Sequence, residues 1–249
     1  MIHRKQIIEV KDVVTKFGSN LVHDGLNLHV DEGEIYGFLG PSGCGKSTLM
    51  REIIMLEKFH SGSIELLGQK IEKINTKKAQ CLRMQWGVLF QSNALFTSLT
   101  VAENIALSLR EYTGLSDESI KDLVAYKIDI VGLKQFDGTL YPSEISGGMK
   151  KKAALARALV MDPKILFLDE PTSGLDPISA REFDTLIVKL RDLLGISVVM
   201  VTHDLTSIHN TLDRMAVIDD KKIVAEGALE EIKKIESPFI ERFFNEGLR

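Results

Sequence analysis

Short apolar runs alternate along the chain with longer stretches in which apolar residues recur every three or four positions. The runs GEIYGFLG (33–40), KILFLDE (164–170) and SVVMVTH (197–203) are almost continuously hydrophobic. Because strands buried on both faces of a parallel sheet have this pattern, the runs predict such strands. Shorter runs predict further strands at 7–14, 26–30 and 62–68 and, around an Asp-Asp-Lys turn, within 214–227.

Helical patterns fill the segments between these strands. A helix is expected from about Lys46 to Leu56, an amphipathic helix over 178–194, and mostly helical structure over 92–160. The alternation of strands and helices indicates an α/β fold with a mainly parallel sheet.

Composition restricts the class of protein. The 249 residues include 31 Lys and Arg against 35 Asp and Glu, a net charge of −4, which argues against a protein built chiefly to coat nucleic acid. Cys44 and Cys81 are too few for a disulfide framework and predict free thiols in a reducing compartment. Neither a secretory signal nor a run of about 18 apolar residues is visible. We therefore expect a cytoplasmic protein that reaches a membrane only by binding something that spans it.

The segment GPSGCGKS (40–47) matches the phosphate-loop pattern G-x-x-x-x-G-K-[ST] without a mismatch. Glycines let the backbone N–H groups face phosphate oxygens, and the following helix directs its positive N-terminus at the same anion. We expect Lys46 to contact the β- and γ-phosphates and Ser47 to ligate Mg²⁺. A glycine-rich turn with an accidental lysine is disfavoured by the strand before the loop and the helix after it. The predicted nucleotide-binding residues are Gly40, Pro41, Ser42, Gly43, Cys44, Gly45, Lys46, Ser47 and Thr48.

Two carboxylates end the apolar run ILFLDE (165–170). A buried strand delivers them to the carboxyl edge of a sheet, where ligands bind in α/β folds, and successive side chains point to opposite faces. Asp169 would then hold Mg²⁺ through water, while Glu170 would polarise the attacking water. Two acids after a strand are often ordinary surface charge, and it is the phosphate loop that favours the catalytic interpretation.

A second anion-binding helix start is predicted in EISGGMKK (144–151), where Ser146 precedes two glycines at the beginning of a helix. Ser146 lies 100 residues after Lys46. One nucleotide does not need two such cradles from one chain, but it can use them if they come from different chains.

At this point the sequence resembles the ATP-binding cassette family, in order and over nearly all of the chain. The resemblance implies that Glu170, His203 and Gln91 are catalytic and that Ser47, Gln91 and Asp169 serve Mg²⁺. The matched residues and their implied roles are Phe17, which stacks on adenine; Gln91, which senses Mg²⁺ and the membrane partner; Ser146, Gly147 and Gly148 of the signature motif; the pair Asp169 and Glu170; Asp176 in SGLD (173–176), whose loop crosses the dimer interface; and His203, which contacts the γ-phosphate.

The signature motif departs from the family pattern at both ends. The family usually has Leu-Ser-Gly-Gly-Gln, whereas Ile145 and Met149 stand at the ends here. Met149 cannot make the hydrogen bonds of a glutamine, so some fine contacts differ, while the phosphate donors between the two ends are intact.

The resemblance also implies the fold and the partners. The expected fold is an α/β P-loop NTPase of the ATP-binding cassette type, with a mainly parallel central sheet, an N-terminal antiparallel β subdomain and an inserted α-helical subdomain at about 92–160. A single ATPase domain is expected over 1–249. Two copies would form a homodimer that sandwiches two ATP molecules, and a separate membrane permease would dock near Gln91.

A narrower resemblance points to the Mla-type ATPases of phospholipid trafficking between bacterial inner and outer membranes. It rests on QSNALF (91–96) and on a signature that ends in Met149 and three lysines. The implied partners are a permease, an MCE-type lipid-binding protein and a small STAS-domain protein, at the cytoplasmic face of the inner membrane, with no nucleic acid. The alternative is an importer ATPase for a polar solute. A cassette protein acting on DNA or ribosomes, a kinase or a GTPase fits less well.

Three segments keep more than one interpretation. Lys150, Lys151 and Lys152 predict a solvated helix face rather than a lipid or nucleic-acid patch. Leu95, Phe96 and Leu99 could receive a permease helix or simply close the helical subdomain. The tail 237–249 predicts a short apolar helix face that packs on its own body, on the other copy or on the small regulatory subunit.

Overall fold

The structure, a computed structural model, describes residues 5–246; residues 1–4 and the last three residues of the predicted tail lie outside the described residues. The strands are β1 (Gln6–Phe17), β2 (Asn20–Asp31), β3 (Ile35–Leu39), β4 (Ser61–Leu66), β5 (Gln69–Lys70), β6 (Trp86–Leu89), β7 (Ile165–Asp169), β8 (Ser197–Val201), β9 (Arg214–Asp219) and β10 (Lys222–Gly227). The helices are α1 (Lys46–Ile53), α2 (Thr76–Arg83), α3 (Val101–Tyr112), α4 (Asp117–Ile130), α5 (Gly147–Leu159), α6 (Pro177–Leu194), α7 (Leu205–Thr211), α8 (Leu229–Ile232) and α9 (Pro238–Glu246).

The chain forms two compact units, Met1–Arg83 with Ser197–Arg249, and Met84–Ile196. We call them the first and the second unit. Across residues 5–246, no helix has the length and apolar character that crossing a bilayer demands.

The first unit contains an antiparallel sheet in the order β2-β1-β4-β5. Buried apolar residues face each other across its strands, with Val10 paired to Leu28 of β2 and to Ile64 of β4. Both long strands exceed the predicted segments. A bulge around Asp12 interrupts the register of β1, and Asn27 stabilises it because its amide hydrogen-bonds to both the backbone and the side chain of Asp12.

The first unit also contains the strands β10-β9-β3-β8, in that order. Strand β3 runs parallel to both β8 and β9, and all five of its residues are buried. This agrees with the buried parallel strand that its apolar run predicts. Strands β9 and β10 form the predicted hairpin, whose turn residues Asp220 and Lys221 both have positive φ, as a tight hairpin turn requires.

The second unit contains the parallel pair β6 and β7 together with helices α3 to α6. Helix α5 packs so closely on β6 that a Cβ on Gly87 would lie 2.0 Å from the carbonyl oxygen of Ala158. Most side chains of α5 beyond its first turn are buried, including Leu155 and Leu159. The region predicted as mostly helical holds three α-helices, the first of which begins only at Val101.

Helix α9 accounts for the described part of the predicted tail. Ile240 and Phe243 are 2% and 1% exposed and join a buried cluster with Leu39, Met215 and Val217 of the same unit. Of the alternatives for the tail, the structure therefore favours packing on its own body.

Candidate functional site

The phosphate loop connects the end of β3 to the start of α1, as its position between a strand and a helix predicts. Gly40 follows Leu39 with a φ of 141°, and a Cβ there would lie 2.1 Å from the carbonyl oxygen of Ile218. Gly45 has a φ of 99° and precedes the first residue of α1. Only glycine suits these two positions, because a side chain would be both strained and in collision.

The start of α1 fits an anion. Among the described residues, no side chain caps this helix, and its first turn contains no acidic residue. The first N–H groups of a helix have no partner within the helix and carry partial positive charge. A phosphate group can therefore occupy this end.

Lys46 lies folded over the loop that precedes it. Its Nζ donates hydrogen bonds to the carbonyl oxygens of Gly40 and Pro41, both at 2.8 Å, and the residue is only 8% exposed. The Sγ of Cys44 is 3.8 Å from the same nitrogen. Burial raises the pKa of the Cys44 thiol in spite of the nearby ammonium, so the thiol is protonated at neutral pH.

His203 follows β8 and is exposed. Because Phe38 of β3 pairs in parallel with Val201 of β8, Gly40 and His203 leave the sheet at the same edge, each two residues beyond the pair. The first unit therefore brings the phosphate loop and His203 together at the carboxyl ends of neighbouring parallel strands, which is the usual ligand edge in α/β folds.

The second unit places Gln91, Asp169 and Glu170 at a similar edge. Leu89 of β6 pairs with Leu168 of β7, so Gln91 and Glu170 each follow two residues beyond that pair. Asp169 is 5% exposed. Glu170 has a φ of 48°, in the left-handed region that a non-glycine residue rarely adopts and that is frequent at active sites.

Lys151 links these residues, and sequence reasoning missed it. Its Nζ donates to the carbonyl oxygen of Gln91 at 2.9 Å and to that of Glu170 at 3.4 Å. Lys151 is 3% exposed, and burial lowers its pKa. The prediction of a solvated lysine face is therefore wrong for this residue. A signal existed, because Lys151 lies on the same helix face as buried Leu155 at i+4.

The backbone of the segment after Gln91 is held by two side chains, those of Arg157 and Asn104. Arg157 of α5 donates to the carbonyl oxygens of Asn93 at 2.9 Å and Ala94 at 2.6 Å. Asn104, which is fully buried on α3, accepts from the Phe96 N–H and donates to the Phe96 carbonyl oxygen. The carbonyl oxygens of Leu99 and Thr100 lie 3.1 and 2.9 Å from the same amide nitrogen, whose two protons are shared among the three acceptors.

The side chains of this segment divide between two environments. Phe96 is 52% exposed, whereas Leu95 and Leu99 are half-buried. Phe96 therefore does not close the helical region, and its ring is available to a partner.

The signature motif begins helix α5. The Ser146 hydroxyl caps the helix by accepting from the Met149 N–H at 3.3 Å. Ile145 is 7% exposed and packs inward, so the change from leucine keeps an apolar core residue. A Cβ on Gly147 or Gly148 would meet no described atom within 4 Å. This helix start is open to an approaching molecule.

Two further predicted residues lie at element ends. Phe17 ends β1 and is 49% exposed, so it is not a core residue. Asp176 caps α6, accepting hydrogen bonds from the N–H groups of Ile178 and Ser179. Hydrogen bonds from the Ser179 hydroxyl and N–H lower the pKa of Asp176.

The donors also suit magnesium. Mg²⁺ usually binds proteins through one or two oxygen ligands while the nucleotide phosphates and water supply the rest. Ser47 at the start of α1 offers one such oxygen in the first unit, and Asp169 at the end of β7 offers one in the second. Within the part of the chain that the structure describes, no group of three or more His, Cys, Asp or Glu residues forms a dedicated metal cage.

The sequence was also compared with known protein families. The family profile for ABC transporters matches residues 23–173. The chain belongs to the ABC transporter family. Its activity is accordingly that of an ATPase coupled to transport.

Two curated relatives cover most of the chain. The intermembrane phospholipid transport system ATP-binding protein MlaF of Haemophilus influenzae is 39% identical over 228 residues, which are 92% of this chain and 86% of the relative. The methionine import ATP-binding protein MetN of Clostridium tetani is 37% identical over 229 residues, which are 91% of this chain and 70% of the relative.

A solved structure confirms the predicted fold class. The dimeric post-hydrolysis state of the ATP-binding cassette MJ0796, bound to ADP and Pi, aligns with a TM-score of 0.81 at 29% identity. The alignment covers 89% of this chain and 98% of that chain.

Proposed function

We propose that this chain is the ATPase subunit that powers phospholipid trafficking between the inner and outer membranes of a bacterium, through a separate permease. The observation that carries the proposal is the similarity to MlaF, which spans 92% of this chain and 86% of the relative. The string QSNALF (91–96) and the signature ending in Met149 and three lysines support the same assignment.

We assign roles to the site residues from their positions and from the family resemblance. Lys46 and the first N–H groups of α1 hold the β- and γ-phosphates, with Thr48 adding a contact, and Phe17 stacks on the adenine. Ser47, Asp169 and Gln91 would hold Mg²⁺, which neutralises phosphate charge when it is bound. Glu170 accepts a proton from the attacking water, while His203 hydrogen-bonds the γ-phosphate.

A second copy of the chain completes each site. Ser146, Gly147 and Gly148 of one copy face the γ-phosphate held by the phosphate loop of the other, and the loop with Asp176 crosses the interface. The open start of α5 and the dimeric state of MJ0796 support this arrangement. Hydrolysis removes the group that bridges the copies, so the dimer opens after each turnover. We propose that both compact units belong to one ATPase domain.

The permease docks on the segment after Gln91, at the cytoplasmic face of the inner membrane. An exposed Phe96 on a backbone held by Arg157 and Asn104 supports this assignment. An MCE-type lipid-binding protein and a small STAS-domain protein complete the assembly, and no nucleic acid takes part. The lipid itself does not contact this chain.

The second candidate function is the ATPase of an importer for a polar solute. It is favoured by the similarity to MetN, at 37% identity over 91% of the chain. Both candidates share the same ATPase chemistry and differ only in the partners.

A pull-down from detergent-solubilised native membranes distinguishes the two candidates. The full chain serves as bait, and Phe96→Asp serves as a matched bait with a charged docking segment. Recovery of a permease with an MCE-type and a STAS-domain protein by the wild-type bait alone supports the lipid function. Recovery of a permease with a periplasmic solute-binding protein overturns it and supports the importer.

A further inference from the structure

A chain of three buried polar side chains lies behind the phosphate loop. Thr15 of β1, His23 of β2 and Glu52 of α1 are each 0% exposed. The Thr15 hydroxyl lies 2.7 Å from Glu52 Oε1 and 2.8 Å from His23 Nδ1. The other ring nitrogen, Nε2, lies 3.2 Å from the carbonyl oxygen of Gly45. The chain of contacts therefore ends on the last glycine of the phosphate loop.

This arrangement reaches the loop from two directions. The ring of His23 covers Gly45 so closely that a Cβ there would lie 2.3 Å from Nε2. Glu52 lies on the same helix that Gly45 begins, about two turns further along. The buried side chains thus connect the antiparallel sheet both to the start of α1 and to its body.

The contact with Gly45 orients the peptide group that the loop uses. The Gly45 carbonyl oxygen already accepts the first helical bond of α1 from the Leu49 N–H at 2.9 Å, and its second lone pair faces His23. The Gly45 carbonyl and the Lys46 N–H belong to one planar trans peptide, so they point in opposite directions. Fixing the carbonyl toward His23 therefore directs the Lys46 N–H away from His23.

The three contacts of Thr15, His23 and Glu52 require one proton more than a neutral histidine, an ionised glutamate and one hydroxyl supply. A carbonyl oxygen only accepts, so a hydrogen bond between His23 and Gly45 requires a proton on Nε2. The Thr15 hydroxyl has one proton, which serves either Glu52 or His23. Three contacts need three protons, whereas a neutral imidazole and a hydroxyl provide only two. The third proton lies on Nδ1 of His23 or on Glu52.

The geometry favours His23 as the carrier. Glu52 Oε2 lies 3.5 Å from Nδ1 of His23, close enough for an ion pair. Within residues 5–246 this oxygen accepts no hydrogen bond, so it is not engaged elsewhere. An imidazolium beside a carboxylate satisfies the three hydrogen-bond contacts, places opposite charges 3.5 Å apart and makes the bond to Gly45 charge-assisted, hence stronger than a neutral one.

We propose that His23, protonated on both ring nitrogens and paired with Glu52 through Thr15, is a positioning residue of the ATP site that fixes the Gly45–Lys46 peptide for the phosphates. The inference rests on the proposed phosphate-binding role of the loop. It adds a buried support, supplied by the antiparallel sheet, that sets how tightly the loop holds nucleotide.

A series of variants of the full chain tests the proposal, with a fluorescent ATP analogue as the binding probe. His23→Leu removes the bond to Gly45, and we expect the Kd to rise about tenfold. In Glu52→Gln the amide donates to Thr15 and the Thr15 hydroxyl donates to Nδ1, so a neutral histidine still reaches Gly45. We expect this variant to lose only about twofold to threefold, since the charge assistance alone is gone.

The steady-state constants separate positioning from general stability. His23→Leu should raise KM together with Kd and change kcat less. Val10→Ala, at a buried position of the same sheet that pairs with Leu28 and Ile64, is the matched control and should lower Tm with KM unchanged. A folded His23→Leu protein whose Kd stays within twofold of wild type overturns the proposal, as does a Glu52→Gln protein that binds as weakly as His23→Leu.

Nitrogen-15 NMR of the histidine ring gives a test that needs no variant to keep its activity. In the wild type we expect both nitrogens of His23 to show the shifts of an imidazolium, and in Glu52→Gln those of a neutral ring protonated on Nε2. A neutral His23 in the wild type overturns the proposal.

Lys46→Ala shows which of the two ideas fails. If Lys46→Ala binds the analogue as well as wild type, the phosphate-binding role itself is wrong. If Lys46→Ala loses binding while His23→Leu keeps it, the loop binds phosphate and only the positioning role of His23 is wrong.

Discussion

Two helices of this ATPase have glycine at their N-terminal ends, and one of these glycines is tightly packed whereas the other end is open. Helix α1 begins after Gly45, where a Cβ would meet the ring of His23 at 2.3 Å. Helix α5 begins after Ser146, and a Cβ on Gly147 or Gly148 would meet no described atom within 4 Å. The fold itself requires glycine at the first helix start. At the second, any need for glycine has to come from a molecule that approaches it.

The largest expected effect tests whether both helix starts act on one nucleotide. Glu170→Gln removes the proposed base but keeps its shape, so ATP should bind while turnover falls by about 10²–10⁴-fold. The uncleaved ATP should then hold two copies together. Phosphate release gives the rate, and light scattering with ATP present gives the mass. Lys46→Ala is the control and should neither bind ATP nor dimerise; wild-type turnover in Glu170→Gln would falsify the assignment of the base.

Substituting one glycine at each helix start tests the difference between α1 and α5 directly. Gly45→Ala adds strain and a collision, so the free energy of unfolding should fall by about 1–3 kcal/mol or more. Gly148→Ala lies in the first turn of α5, where a Cβ meets no described atom within 4 Å, so stability should hold while ATPase activity falls. Thermal unfolding and phosphate release measure the two effects. An active Gly148→Ala enzyme would contradict the idea that a second copy needs space there.

Lys151 sharpens the comparison between α1 and α5. It connects α5 to the proposed catalytic residues Gln91 and Glu170 of the same unit. Lys151→Met deprives the carbonyl oxygens of Gln91 and Glu170 of a buried donor. We expect kcat to fall about tenfold with little change in KM, because the loss affects groups that act in the chemical step. Lys152→Met, one position along the same helix, is the matched control. Equal kcat values for the two variants would argue against this role.

The smallest effect concerns α6, a helix start capped by a carboxylate instead of preceded by glycine. Because hydrogen bonds from Ser179 lower the pKa of Asp176 below its ordinary 3.8, the cap stabilises the fold above that pH. This stability is lost as the pH falls through the lowered pKa. Asp176→Asn keeps a capping oxygen but no charge. Between about pH 5 and about pH 3, wild type should therefore lose more Tm than the variant. Parallel curves would refute the assignment.

The sequence predicted those features that depend on neighbours along the chain. The phosphate loop lies between β3 and α1, and Asp169 ends β7 with Glu170 directly after it, because the local residue pattern encodes a strand, a turn and a helix start. The hairpin around Asp220 and Lys221 has the same local origin. Such patterns require no knowledge of how distant segments meet.

The features that depend on tertiary packing could not be predicted in this way. Lys151 looked like one of three solvated lysines, and only the fold buries it against two carbonyl oxygens. Thr15, His23 and Glu52 belong to three different elements, and nothing in their spacing indicates that they meet. Strand β1 continues past the predicted end at residue 14 to Phe17 because its last residues pair with β2, a contact that the run itself does not encode.

Asn104 makes the segment from Phe96 to Thr100 rigid. Its buried amide contacts the backbone of Phe96, Leu99 and Thr100 and so fixes this segment, while the ring of Phe96 projects outward. A partner that docks on this ring has little backbone entropy to remove, so less of the binding free energy is lost to ordering. The segment is also rigid. A force applied to Phe96 is therefore transmitted through Asn104 to α3, where a flexible loop would absorb it.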